Sequence, residues 1–520
     1  MAMTCEEPGT EPDDKPAAPR APAADTLAQS VLILMVLTVF QRFVGLVRGL
    51  VFCRWMSPEE LGEWEMCFSF LLFAAPLTIL SLPGAFGRYM EQFRVRGLFR
   101  LLMQRTAVAT LGMASTAAVV LICFRTEFSS WIFGRDDCTV LIAWLTAGLL
   151  AVIAFNFMID VFTGLRMQRI ASQLQTVQAL SFAAIGLTLL AWFPQGAQSV
   201  VIAYGGASLL AFFAALPHLV RAWQTAPRSL ESMPQSSFWG KLMPYAVSLW
   251  AANWLSNAFL LADRYLIIHF SGMSADDALS QVGQYHTARL VPILILTFAG
   301  LLSSILLPHL SFDWETGCRR LVCERMNLFI KGLSLALLGS MAVLLLAAPL
   351  LFNLAFGDKF ALALSILPWT IGYCVWASLG YVVRTYLWCD EKVLLSSAAY
   401  AVGLTVSIGL NLLLLPTYGL YGAVWGTAGG NLVALLLMVA FAMYRGMEMH
   451  KGSWLALILP LAICLGAWTA TITCLVTLVL IWRTEWVLNH AEKQQVVTFV
   501  EGYLQRFKRF GPKAASAGGN

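Results

Sequence analysis

The sequence predicts an all-α polytopic membrane protein: two six-helix bundles related by a pseudo-two-fold axis along the membrane normal, plus a thirteenth C-terminal helix. Three observations carry this. Of 520 residues, 59% are hydrophobic and 12% charged, roughly half the charged share that solvates a soluble domain. Apolar stretches long enough to cross a bilayer recur along nearly the whole chain. The first six of them are echoed, in order, by the next six. A net charge of +5 on this composition is the opposite of a disordered or polynucleotide-binding chain, so no nucleic-acid partner is expected.

Residues 1–25 are rich in Ala and Pro with mixed charge and no apolar run. They read as a disordered tail that lacks the basic and apolar regions of a cleaved signal peptide. Apolar helices follow at 27–54, 60–84, 99–125, 136–164, 171–193 and 198–222, forming a first lobe over 26–222. The segment "SPEELG" starts the second helix, with Ser57 as N-cap, Pro58 at the first helical position and Glu60 closing a capping box. A polar linker, 223–238, leads to helices at 240–270, 280–308, 326–352, 362–389, 392–415 and 419–445, a second lobe over 239–446. The last apolar stretch, 454–484, is about 45 Å of helix at 1.5 Å per residue. It reads as a single span, too short for a hairpin of two. In the tail 490–511, Val496, Phe499, Val500, Tyr503, Leu504, Phe507 and Phe510 recur at helical spacing, the pattern of an amphipathic helix on a membrane surface.

The repeat is legible residue by residue. "WIFGRDD" has a counterpart in "LAFGDKF", with Phe133 and Gly134 mapping onto Phe356 and Gly357 at an offset of 223. The same offset carries Gly206 onto Gly429, and "SPEELGEW" is echoed by "SADDALSQVGQY", so that Gly62 and Trp64 answer Gly283 and Tyr285. An even number of helices per repeat inserts both halves in one orientation and leaves a cavity between two lobes. One set of loops collects Arg88, Arg94, Arg96, Arg100, Arg105, Arg166, Arg169, Arg221, Arg228, Lys241, Arg319, Arg320, Arg325, Lys331, Arg384, Lys392, Arg445 and Lys451. The other has Arg54, Arg125, Arg135 and Lys359. That asymmetry predicts a cytoplasmic N-terminus. A single thirteenth span then leaves the C-terminus outside, at odds with Arg506, Lys508, Arg509 and Lys513 in the tail.

Ionisable groups inside apolar spans are costly and therefore the first candidates for function. The first helix holds Arg42 and Arg48, with Gly45 and Gly49 near the face of Arg42, where small residues allow close approach. The alternative for these arginines is structural pairing with a carboxylate such as Glu65. The seventh helix holds Asp263 and Arg264, and the eighth holds Arg289. The repeat lets Arg42, Arg48, Arg264 and Arg289 converge on one central space, two from each lobe. Arginine keeps its charge when desolvated and its planar fork matches phosphate oxygens, so such a cavity favours an anionic headgroup such as a pyrophosphate. The competing reading makes Asp263 and Arg264 part of a buried ion-pair network fixing the lobe interface. Asp160, beside Asn156, is a candidate proton or cation site, against a carboxylate satisfied by Arg166; its repeat counterpart region holds Arg384. Glu65, Asp160, Asp263 and Arg384 are thus the candidates for coupling or ion pairing.

Other chemistry is not supported. The eleven Cys are scattered, Cys318 and Cys323 fit no zinc or redox spacing, and the six His are dispersed, so neither a metal nor a cofactor is expected. No GxxxxGK[ST] loop is present and no loop is long enough for a catalytic domain. The chain reads as one that moves something rather than converts it, and not as an enzyme.

The stretch "GLVRGLVFCRWMSPEELGEWEMCFSFLLFAAPLTILSLPGAFGRYMEQF" resembles the opening of Wzx-type polysaccharide flippases of the multidrug/oligosaccharidyl-lipid/polysaccharide (MOP) exporter superfamily. "MSPEELG" and "PGAFGRYMEQF" carry the likeness in the first lobe. "ADRYLI", "VGQYHTARLV" and "GLYGAVWGTAGGNLVALLL" carry it in the second, so that it extends over about 27–445. The resemblance implies a V-shaped MATE-like pair of bundles that alternates between inward-open and outward-open states. It implies an undecaprenyl-pyrophosphate-linked oligosaccharide as cargo, flipped across a bacterial inner membrane for cell-surface polysaccharide biosynthesis. The expected partners are that lipid-linked oligosaccharide, membrane lipids, a polysaccharide polymerase and glycosyltransferases. The rivals, in order, are a lipid II flippase, a drug/cation antiporter of the same superfamily, and a membrane glycosyltransferase or glycan polymerase. Thirteen helices departs from the commoner twelve or fourteen.

Overall fold

The computed structural model describes residues 27–226, 233–490 and 492–494. The expected N-terminal tail, part of the linker and most of the amphipathic segment 490–511 lie outside these residues. The first lobe consists of α1 (Leu27–Trp55), α2 (Pro58–Thr78), α3 (Phe86–Val95), α4 (Phe99–Cys123), α5 (Arg125–Phe133), α6 (Thr139–Gly164), α7 (Gln168–Trp192) and α8 (Ala197–Thr225). The second has α9 (Gln235–Phe270), α10 (Ala275–Arg289), α11 (Pro292–Glu315), α12 (Arg319–Phe356), α13 (Ala361–Cys389), α14 (Val393–Tyr418) and α15 (Leu420–Tyr444). Among the described residues nine helices are long and apolar enough to cross a membrane, or ten if one bent pair is a single span. The chain is a multi-pass α-helical membrane protein.

The expected helix at 60–84 is broken. Its start follows the predicted capping box, with Glu60 N–H donating to Ser57 Oγ at 3.1 Å and Ser57 N–H donating to Glu60 Oε2 at 2.8 Å. Its far end bends by 61° where Leu80 and Ser81 adopt φ of 50° and 48°. The corresponding helix of the second lobe is broken as well: α10 ends at Arg289, and α11 opens on Pro292, which has no N–H to carry the helical ladder onward. Within lipid there is no hydrophobic drive between helices, so contact depends on small residues that let backbones approach. Gly422, Gly426 and Gly430 of α15 do this, pressed on Leu414, Asn411 and Ser407 of α14.

The lobes meet along α2 and α10, at the end of the bundle called outer after the loop charges. Gly62 and Gly283, paired by the sequence repeat, face each other there. A Cβ on Gly62 would strike the Leu279 carbonyl, and one on Gly283 would strike the Pro58 carbonyl. The two repeat-related loops after α5 and α12 each reach across this seam. Arg135 pairs with Glu59 at 3.0 Å and with Glu63 on α2, and with Asp276 at the start of α10 at 2.5 Å. Lys359 of the second lobe donates to the carbonyls of Cys53, at 2.9 Å, and Met56 in the first.

The segment expected as one thirteenth span is instead a hairpin. It comprises α16 (Lys451–Ile458), α17 (Pro460–Cys464) and α18 (Ala467–Arg483), and the chain reverses at Gly466, whose φ of +118° is closed to other residues. Thr469 Oγ1 donates to the carbonyls of Ala462 at 2.8 Å and Gly466 at 2.9 Å, satisfying groups that hydrocarbon would leave unpaired. Both ends sit at one level of α12. Asn327 Nδ2 donates to the Glu448 carbonyl at 2.7 Å, while its Oδ1 accepts His450 N–H at 2.9 Å. Lys331, read from sequence as a loop cation, is 1% exposed and holds both oxygens of Glu492 at 2.8 and 2.9 Å. The start of α16 packs directly on Val487, against which a Cβ at Gly452 would collide. The correction has a simple cause: the apolar run contains a reversal at Gly466 that hydropathy does not register. It also returns the chain at Glu492 to the side of Lys331 and His450.

Single cysteines at Lys451 and at Asn489, in a background without other exposed thiols, are therefore expected to react with an impermeant maleimide from the same side of sealed vesicles. Labelling from opposite sides would rule out the hairpin.

Candidate functional site

The N-cap at Ser57 sets the phase of α2 so that Gly62 and Glu65, three residues apart, both face α10. Glu65 is 3% exposed. Its Oε1 lies 2.5 Å from Arg264 Nη2 on α9, and its Oε2 lies 2.6 Å from His286 Nδ1 on α10. One carboxylate of the first lobe thus ties together two helices of the second. Arg264 also donates Nη1–H to the Leu260 carbonyl at 2.9 Å. Beside it, Asp263 accepts the Arg264 N–H at 2.9 Å and the Tyr285 hydroxyl at 2.6 Å, and Tyr285 Oη lies 3.0 Å from Tyr373 Oη. Arg289 packs its guanidinium 5.1 Å from the centre of the Tyr285 ring.

Two cavities open along this seam. One, of about 610 Å³, is lined by Glu65, Phe68, Asn257, Arg264, His286 and Arg289 among others. The other, of about 860 Å³, lies further towards the inner end and presents Ser81, Asn156, Asp160, Asn253 and Asn257. Asn257 lines both. The first is a cluster of charges around arginine; the second offers carboxamides and one carboxylate, the groups that hydrogen-bond hydroxyls.

The structure brings Glu65, Asp263, Arg264 and Arg289 together. Arg264 is in a buried ion-pair network at the lobe interface, with a cavity beside it, but its partner there is Glu65, while Asp263 accepts the Arg264 amide and the Tyr285 hydroxyl. Asp160 lines the inner cavity and forms no ion pair with Arg166 among the described residues. Arg48 does not join Arg264. Gly49 and Cys53 turn one face of α1 towards Leu290 and Thr287, which puts Arg48 on the α7 side, 3.9 Å from the centre of the Phe182 ring. Arg42 is exposed, seven residues before Gly49 and hence on the same face of α1. Arg384 lies in a separate pocket of the second lobe. His286, Asn253 and Asn257 were not singled out in sequence. Their signals were present: Gly283, His286 and Arg289 recur every three residues along α10, and the two asparagines are four apart on α9.

The profile of the polysaccharide biosynthesis protein family matches residues 27–312. No curated protein sequence matches the chain. Among solved structures, the lipid II flippase MurJ in an inward closed conformation superposes with a TM-score of 0.66 at 13% identity, covering 87% of this chain and 99% of its own. An inward-facing multidrug resistance MATE family transporter of the MOP superfamily gives 0.62 at 13% identity, covering 80% and 98%. A MATE transporter of Vibrio cholerae gives 0.55 at 14%, covering 81% and 97%. At such identities the likeness is one of fold.

Removing one partner of a buried ion pair strands the other charge, at a cost of about 3–5 kcal/mol, while replacing both by apolar groups is far better tolerated. Glu65→Leu and Arg264→Leu should each lower the unfolding temperature of the detergent-solubilised protein, and the double variant should recover most of the loss. Additive losses would mean that the two side chains do not act as a pair.

Proposed function

The chain belongs to the polysaccharide biosynthesis protein family and has the fold of the MOP exporter superfamily, and on that premise we propose that it flips an oligosaccharide carried on a polyprenyl pyrophosphate. The single observation that carries this reading is the pairing of two chemistries along one seam. Arginines line one cavity and carboxamides line the next, between lobes sealed at one end by the Gly62–Gly283 contact. A large polar headgroup crossing about 30 Å of hydrocarbon needs a hydrated, polar path while its lipid tail stays in the bilayer. Guanidinium groups suit the diphosphate, and Asn and Asp side chains suit sugar hydroxyls. Arg42, exposed on the face of α1 that touches Leu290, is suited to add a further charge to this path when the lobes part. Alternating access would rock the lobes about the seam, as internal repeats favour.

On this reading the protein sits in a bacterial inner membrane with its N-terminus and basic tail in the cytoplasm. It receives cargo from glycosyltransferases and delivers it to a polysaccharide polymerase. Lipid II is the second reading, favoured by the superposition on MurJ. A cation antiporter fits less well, because the buried charges facing the seam include two arginines.

Reconstituted protein should accelerate loss of a fluorescent polyprenyl-pyrophosphate oligosaccharide from one leaflet without altering its mass. Arg264→Ala and Arg42→Ala should slow this about ten-fold or more, the loss expected when a charge-assisted hydrogen bond worth about 1.5–3 kcal/mol is removed. Faster flipping of lipid II than of any lipid-linked oligosaccharide would favour the second reading. A change in cargo mass would point to an enzyme.

A further inference from the structure

A pocket of about 650 Å³ lies wholly within the second lobe, lined by residues of α9, α10, α11, α13, α14 and α15. Arg289 and Leu260 form the wall between it and the seam, since both line the two cavities. Its polar groups are unusually unsatisfied. Arg289 is 6% exposed and its Nη1 has no hydrogen-bond partner; Thr427, 5% exposed, has none for Oγ1; Arg384 has none for Nε. Arg384 is cradled by aromatic rings, 4.3 Å from the centre of Tyr381 and 4.8 Å from that of Trp388. The one carboxylate lining the pocket, Asp263, is already engaged by the Tyr285 hydroxyl and the Arg264 amide. Neither Arg289 nor Arg384 forms an ion pair among the described residues.

Two guanidinium groups against one engaged carboxylate leave net positive charge in a pocket set among the helices of the second lobe. Stacking on Tyr381 and Trp388 offsets part of the cost. It does nothing for the N–H donors left without a partner. Two planar guanidinium forks and a hydroxyl lining one pocket supply the donor types that recognise an oxyanion.

The geometry points to an oxyanion-binding site of the phosphate class in this pocket, formed by Arg289, Arg384 and Thr427. The repeat sharpens the contrast between lobes. Asp160 and Arg384 fall one residue apart in register at the offset of 223, so the first lobe presents a carboxylate with carboxamides where the second presents an arginine pocket. The ligand is either a free inorganic anion or the diphosphate of a lipid carrier. Only the second source rests on the transport reading above; the site itself does not.

Isothermal titration of the full-length protein in detergent, first with inorganic pyrophosphate and then with a sugar-free polyprenyl pyrophosphate, tests this. Binding is expected, together with a rise in unfolding temperature. Folded Arg384→Ala should bind at least ten-fold more weakly and lose the thermal shift. Thr427→Val should bind several-fold more weakly, and Arg384→Lys, which keeps the charge without the fork, should fall between. Arg320→Ala, at an exposed arginine, controls for bulk charge and should bind as the parent does. Response to both probes assigns the site to a free anion, and response to the lipid alone assigns it to the headgroup. Binding of neither, or undiminished binding by monodisperse Arg384→Ala and Arg289→Ala proteins, overturns the proposal. Intact binding with no flipping would leave this site standing and remove the transport reading instead.

Discussion

A guanidinium buried among apolar helices is costly to leave uncompensated, and for Arg264 the compensating carboxylate comes from the opposite lobe. Glu65 on α2 holds Arg264 on α9 and His286 on α10, so the charge balance of the interior depends on the lobes being together at that level. Much else follows from this. The backbones must come close enough for a short side chain to bridge them, which is why Gly62 and Gly283 each stand three residues before Glu65 and His286. The cavities lie beside the pair because Arg289 and Asn257, on the same two C-lobe helices, line the adjoining space.

The lobes share an architecture but differ in chemistry. In each, the second helix of the repeat begins with a serine cap and later breaks, at Leu80–Ser81 in one and after Arg289 in the other. In each, the loop that begins with Phe-Gly crosses to the opposite lobe, through Arg135 and through Lys359. Their interiors then diverge, with Asp160 and Asn156 on one side and Arg289 and Arg384 on the other. Individually, surface ion pairs such as those of Arg135 contribute little. Their position matters more: they lie where the seam would have to part for the interior to face outwards.

Much of this was legible in the chain. Helix positions followed from apolar length and the start of α2 from its capping box; the repeat matched Gly62 with Gly283 in register, and the structure adds that they face each other. What escaped has physical reasons. A hydropathy window reads 454–484 as one span because Gly466 interrupts direction and not polarity. The choice of Glu65 as the partner of Arg264 rather than of Arg48 depends on rotation of α1, fixed by Gly49 against Leu290 and by Phe182 offering its ring to Arg48. His286, Asn253 and Asn257 are common residue types that become notable only when neighbouring helices bring them to one cavity.

Under the proposed transport function, the seam between α2 and α10 must open for cargo to cross. Asp137 and Asp276 are exposed and both contact Arg135 from opposite sides of that seam. With cysteines at these two positions, joined by a short cleavable bis-maleimide in reconstituted vesicles, leaflet exchange of the lipid-linked oligosaccharide should stop and should resume on cleavage of the linker. Exchange that continues unchanged through a fully linked seam would show that cargo does not cross there.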